Sequence, residues 1–166
     1  MVKVHVERII DVPIERAWEI LADYSNVQKI HPLVKTVDQV TPDKAHGVGA
    51  IRQCNMYDGN KAVEKIVEWD ERNHSYVLKL IDSSLPMKSI LVKLSAVPHG
   101  YSKSKLIAEM NLKAKFGVLG KIMERLVMKP KLGNAIGNLF AGVESYDKDG
   151  MEIPKGFKAS TPAIVY

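Results

Sequence analysis

Apolar and polar residues alternate at strand spacing over most of the chain up to Ala114, and from residue 117 to 145 the apolar positions switch to helical spacing. Val4 and Val6 alternate with His5 and Glu7 in a first strand that ends near Asp11. Asp11 can cap a helix, Pro13 suits its first turn, and Ile14, Ala17, Trp18 and Leu21 recur on one face to about Tyr24. The polar stretch 25–32 reads as a turn or a single helical turn, because Pro32 disfavours helix at His31. Strands are expected over 33–40, 50–56, 62–69, 75–81, 87–97 and 101–114. The Asp58-Gly59 pair marks a hairpin, and Pro98-His99-Gly100 marks a turn. On the last strand Lys103, Lys105, Glu109, Asn111 and Lys113 alternate with Ser104, Leu106, Ala108, Met110 and Leu112, so one face is wet and the other covered.

The helical stretch carries two stripes. Leu119, Ile122, Met123 and Leu126 form the first, and Leu132, Ile136, Leu139 and Val143 form the second, displaced by one residue or about 100° around the axis. Pro130 lies between them, which predicts a kink near Leu126 to Pro130. At about 1.5 Å per residue the element is on the order of 40 Å long and needs a sheet to lie on. The predicted class is α+β: a curved seven-stranded antiparallel sheet wrapped around a long, kinked C-terminal helix. Residues 1–148 form one domain, and 149–166 form an irregular tail. Gly133, Gly137 and Ala141 make a small-residue row that either brings the helix close to the sheet or leaves space for a ligand.

Composition bounds the reading. With 166 residues, 46% of them hydrophobic, the chain can bury one good core. A net charge of +5 permits attraction to nucleic acid or anionic lipid. No aromatic-rich basic motif accompanies the charge, so no nucleic-acid partner is expected. Lys121, Arg125 and Lys129 lie at four-residue spacing opposite the core stripe, as a solvated face or a site of transient membrane contact. Cys54 is the single cysteine, which excludes an internal disulfide and fits a reducing compartment. The N-terminal apolar residues are interrupted by Lys3, His5 and Glu7, so no signal peptide is read, and no apolar run reaches the roughly 20 residues of a spanning helix. The expectation is a soluble, cytoplasmic protein.

No cofactor is predicted. Gly47-Val48-Gly49 leads into a strand without a third glycine, and no phosphate-binding loop or nucleophile elbow occurs. His5, His46, His74 and His99 are scattered and Cys54 has no partner cysteine, so no metal site is expected. Strand parity places Ala50, Arg52, Cys54 and Met56 inward on one strand and Ala62, Glu64 and Ile66 inward on the next. Arg52 and Glu64 then form an inward pair, either an ion pair that sets register or an anchor for a ligand. His31 is a general acid or base, or a histidine that hydrogen-bonds a turn. The methionines, Met56 and Met110 among them, suit an adaptable pocket as well as ordinary core.

Several short motifs run in a characteristic order: Val12-Pro13 followed by Ala17-Trp18 and Asp23; His31-Pro32; Gly49-Ala50-Ile51-Arg52; Asp58-Gly59; Glu64; Asp70; Ser75-Tyr76-Val77; and Leu85-Pro86. Over residues 3–146 the chain resembles the START-like, or SRPBCC, superfamily with its helix-grip fold, and within it the polyketide cyclase/dehydrase and lipid-transport branch. Ile30 departs from the pattern, since relatives often carry a tryptophan before the His-Pro pair. Lys35 falls where plant abscisic acid receptors of the superfamily place a lysine for the hormone's carboxylate, but their gate and latch sequences are replaced by Asp58-Gly59-Asn60-Lys61 and Ser84-Leu85-Pro86-Met87.

The resemblance implies a cavity between sheet and helix that holds an apolar small molecule, lipid-, polyketide- or isoprenoid-like. Its candidate residues on the strands are Lys35, Arg52, Cys54, Met56, Glu64, Ile66, Tyr76, Leu78, Ala108 and Met110. On the helix they are Gly133, Gly137 and Phe140, and at the mouth His31 and Pro86. Two function classes follow. One is a non-catalytic carrier or sensor. The other is a cyclase, aromatase or dehydratase in which Arg52, Glu64, Tyr76 or His31 assists proton transfer. No converging acid–base set is evident, which favours the carrier.

Overall fold

The structure, a computed structural model, describes residues 2–84, 86–115 and 117–166, without the side chains of residues 117, 118, 121 and 124. Leu85 of the Leu85-Pro86 motif and the Lys121 side chain of the basic row therefore lie outside the described residues. Strand β1 (Val2–Ile10) is followed by helix α1 (Ile14–Leu21) and a 3₁₀ segment (Tyr24–Lys29). Strands β2 (Val34–Gln39), β3 (Ile51–Met56), β4 (Lys61–Asp70), β5 (Ser75–Ser83), β6 (Met87–Pro98) and β7 (Ser104–Ala114) then follow as the alternation predicts. α1 buries Ala17, Trp18, Ile20 and Leu21. Asp11 does not cap it: Pro13 occupies the cap position without a side-chain bond, and the Asp11 N–H donates to Glu144 Oε1 at 2.7 Å.

The strands form one antiparallel sheet in the order β2-β3-β4-β5-β6-β7-β1, and an eighth strand, β8 (Ile164–Val165), extends it beyond β1. The tail supplies that strand. Its end is tied by the Tyr166 N–H to the His5 carbonyl at 2.9 Å and by the His5 N–H to the Tyr166 carbonyl at 3.2 Å. Sequence alternation shows seven strands and misses β8, because two paired residues carry no period.

The long helical stretch begins as α2 (Gly117–Met123), widens into a π turn (Glu124–Met128) and continues as α3 (Lys129–Asp149), which ends on Gly150 in the left-handed conformation with φ 69°. The π turn accommodates the mismatch between the two stripes. Widening the turn inserts about one residue, which is the displacement of the stripes, and it stands ahead of Pro130, whose ring a regular helix would press against the carbonyl four residues back.

The two stripes have different fates. Leu139 and Val143 of the second are buried in the core, and Leu132 and Ile136 pack against it. The first stripe does not lie on the sheet: Leu119 and Leu126 are 78% and 70% exposed, and Ile122 is exposed too. Gly120 and Met123 turn towards the protein instead, so α2 approaches through small and flexible residues and leaves its bulkier apolar side chains outside.

Candidate ligand cavity

The inward residues of β4, β5, β6 and β7 and the underside of α3 enclose a cavity of about 380 Å³. Ala62, Leu78, Leu80, Ile90, Val92 and Met110 wall it on the sheet side, and Met128, Leu132, Ala135 and Ile136 wall it on the helix side. Met56 closes it near β3. Such walls suit an apolar ligand, since a few hundred cubic ångströms with few polar groups is the ordinary form of a small-molecule site.

Glu64 and His31 are among the polar residues of the lining, together with Tyr57, Asp58, Asn60, Lys61, Lys131 and Lys155. Glu64 stands directly opposite Arg52 in the β3–β4 ladder. Arg52 is buried, and its Nε and Nη2 donate to the same carboxylate oxygen, Glu64 Oε2, at 2.8 and 2.6 Å. Cys54 Sγ reaches that oxygen at 3.9 Å. Glu64 Oε1 has no protein partner among the described residues.

Tyr24 completes the cluster. Its carbonyl accepts from Arg52 Nη1 at 2.6 Å, its ring lies under the guanidinium at 4.0 Å, and its hydroxyl donates to the Glu64 carbonyl at 2.8 Å. The pair thus fixes register between two strands and also anchors the 3₁₀ segment. Burial is the largest single influence and opposes the charge on Arg52, but Glu64 together with Cys54, Tyr76 and Tyr24 outweighs it and raises the guanidinium pKa above its ordinary value. Burial pushes the Cys54 thiol up to about 12, helped by Glu64, so it is no nucleophile at neutral pH.

His31 Nδ1 accepts the Leu33 N–H at 3.3 Å, which places the proton of the neutral ring on Nε2. Burial pulls its pKa down to about 4, against a smaller opposing pull from Glu64. At neutral pH it is therefore an uncharged hydrogen-bonding group.

Five of the sequence-derived candidates line the cavity: His31, Met56, Glu64, Leu78 and Met110. Arg52 and Cys54 stand behind Glu64. Ile66, Ala108 and Phe140 share the inward direction but are fully packed, with exposures of 0%, so no space adjoins them. Tyr76 is stacked on Trp69 at 5.5 Å and donates its hydroxyl to the Leu21 carbonyl at 3.3 Å. Together with Trp18 and Tyr24 it plugs that end of the sheet's concave face.

Lys35 is exposed and does not line the cavity. A register shift between Val34 and Thr36 turns it outward beside Thr36. Pro86 is also outside the lining, and its carbonyl accepts the Lys115 N–H at 3.2 Å.

Gly133 and Gly137 require a correction of a different kind. They face the tail and not the cavity. A Cβ on Gly133 would meet Val165 at 2.9 Å and one on Gly137 would meet the Cβ of Ala163 at 2.8 Å. The tail runs along this row, held by the Arg8 side chain, which donates to the Gly137 and Thr161 carbonyls, and by the Ala159 N–H on Asn138 Oδ1 at 3.0 Å. Close approach was the right inference from the small residues, but the approaching partner is the tail.

Of the two expected mouth residues, His31 lines the cavity beside Pro32, whereas Pro86 does not, and the remaining rim residues carry no sequence signal of that role. The mouth is formed by Pro32, Tyr57, Asp58, Lys61, Lys131 and the tail residues Lys155 and Gly156. A larger depression of about 620 Å³ lies outside α1, but it is open and rimmed by Glu15, Arg16, Glu19, Asp23 and Lys29. Nothing there is enclosed. Among the described residues no group of three or more His, Cys, Asp or Glu side chains is placed to hold a metal ion, and no helix is long and apolar enough to cross a membrane.

Residues 1–144 match the model of a family described as polyketide cyclase / dehydrase and lipid transport. None of the curated proteins matches significantly. Among solved structures, the Bacillus cereus protein XoxI superposes with a TM-score of 0.74 at 11% identity, over 90% of this chain and 97% of its own. A START superfamily protein from Mycobacterium smegmatis does so at 0.70 and 14% identity, over 90% and 99% of the two chains. The protein TTHA0849 from Thermus thermophilus gives 0.70 at 16% identity, over 87% and 95%. At these identities the likeness is one of fold.

Proposed function

The chain belongs to the polyketide cyclase/dehydrase and lipid-transport family, and we propose that it binds and carries a hydrophobic small molecule, lipid-, polyketide- or isoprenoid-like, in the cavity between sheet and α3. The observation that carries the reading is the space of about 380 Å³ walled largely by aliphatic and methionine side chains, with Glu64 and His31 among its polar groups. Glu64 Oε1 and the His31 Nε2–H offer one acceptor and one donor, enough to orient a ligand that has a hydroxyl or carbonyl. The lone, buried Cys54 fits a reducing compartment, and we place the carrier in the cytoplasm.

The alternative, a cyclase or dehydratase using the same cavity, would draw on Arg52, Glu64, Tyr76 and His31. Arg52, Tyr76 and His31 are committed elsewhere or poorly matched to proton transfer, and Glu64 has one of its two oxygens held by Arg52. Arg52 is bound to Glu64 and Tyr24, and the Tyr76 hydroxyl is bound to Leu21. Burial raises the Tyr76 pKa further, and His31, at about 4, lies well below the range where a general base works best. This supports carriage over catalysis.

Native mass spectrometry of the purified protein tests the proposal. The expected result is an added mass that organic extraction releases. A chain that carries nothing and takes up no naphthalene-sized probe would overturn it.

A further inference from the structure

The mouth of the cavity has an excess of positive charge that apolar carriage does not require. Lys61 at the start of β4, Lys131 in the first turn of α3 and Lys155 in the tail come from three separate elements and converge on one opening. Gly156 N–H reaches the Pro32 carbonyl at 3.5 Å, and Lys155 Nζ stands 5.4 Å from the centre of the Tyr57 ring, so the tail lysine is held at the rim. Asp58 is the one carboxylate among the rim residues. Its two oxygens are taken up within its own turn, Oδ1 by the Asn60 N–H at 3.0 Å and Oδ2 by Asn60 Nδ2 at 2.9 Å. None of the three lysines forms a close ion pair among the described residues, although Lys131 is near enough to Asp58 to help lower its pKa. Three cations against one engaged carboxylate leave a positive field over an apolar, low-dielectric opening, which concentrates field lines there.

We infer that the ligand is an apolar acid, seated with its hydrocarbon body between sheet and α3 and its carboxylate at the mouth among Lys61, Lys131 and Lys155. The inference rests on the carrier reading above and adds the headgroup to it. The orientation follows from charge: a carboxylate inserted first would meet the Glu64 carboxylate in the interior. Lys61 and Glu64 are three residues apart on β4, about 10 Å at strand rise, so an acid at the mouth can place a hydroxyl on its far portion within reach of Glu64 Oε1.

The test is calorimetric titration with 4-(1-naphthyl)butanoic acid and with its primary amide, which has the same shape without the charge. The acid is expected to bind about tenfold tighter than the amide at low salt, with the preference shrinking as salt is added. In the triple variant Lys61→Gln, Lys131→Gln, Lys155→Gln, checked as folded by circular dichroism, the preference disappears while the amide binds as before. Equal binding of acid and amide by the wild-type protein, or an undiminished preference in the triple variant, overturns the acid headgroup and leaves the apolar carrier standing. Failure of both probes to bind overturns the carrier reading, and this inference falls with it.

Discussion

Arg52 and Glu64 are direct partners across the β3–β4 ladder, and the guanidinium directs two N–H bonds to one carboxylate oxygen while its third points to the Tyr24 carbonyl. Removing the charge from Glu64 leaves a buried guanidinium without its counter-ion. Glu64→Gln is expected to destabilise the protein by about 3 kcal/mol in urea unfolding. The suitable control is the exposed Glu68. Glu71 is unsuitable, because it accepts the indole N–H groups of both Trp18 and Trp69. Equal effects at positions 64 and 68 would show that the pair does not hold the strands.

Gly142 separates close packing from mere smallness. A Cβ there would land on the backbone carbonyl of Ile30, which cannot swing away, whereas at Gly133 the nearest atom is a side-chain methyl of Val165. Alanine in a helix gains about 1 kcal/mol over glycine from propensity. Gly142→Ala is nevertheless expected to lower the thermal midpoint clearly, and Gly133→Ala to change it much less. A neutral or stabilising Gly142→Ala would mean that the Ile30 carbonyl does not sit against α3 as described.

The sheet was legible because alternation and hairpin residues report directly on strands. Parity placed Arg52 opposite Glu64 without any coordinates. It could not tell cavity from core: Ile66, Ala108 and Tyr76 point the same way as Glu64 and Met110 but are packed, Tyr76 against the rings of Trp18, Trp69 and Tyr24. The helix was legible as a periodic pattern, but a period does not identify what covers each face. Hence Leu119 and Leu126 were expected inside and are outside, and the Gly133/Gly137 row was expected at the cavity and receives the tail. Lys155 reaches the mouth through a turn-rich segment with no periodic signal.

His31 should tie stability to pH. Its folded pKa of about 4 lies below the ordinary unfolded value of about 6.5, so between these values the unfolded chain binds the proton first. Stability then falls as pH drops from about 7 towards 4, by up to roughly 3 kcal/mol from this group. His31→Asn, which can still accept the Leu33 N–H, removes that contribution. The wild-type advantage over the variant should shrink as the buffer is taken from pH 7 to pH 4, and an advantage that stays constant would show that the imidazole titrates normally in the folded protein.

Ala135 tests the cavity itself. It lies on the underside of α3 and lines the space, so a larger side chain there would enter the cavity, whereas in a packed core it would strain its neighbours. Ala135→Trp is expected to abolish binding of the uncharged naphthyl amide while costing little stability, because it fills void and buries apolar surface. Overpacking a filled core costs about 1–3 kcal/mol, so the stability measurement distinguishes the two situations. Gly137→Leu provides the contrast on the opposite face: it displaces the tail at Ala163 and should leave binding of the amide intact. If Gly137→Leu abolished binding and Ala135→Trp did not, the ligand site would lie beneath the tail and not between sheet and helix.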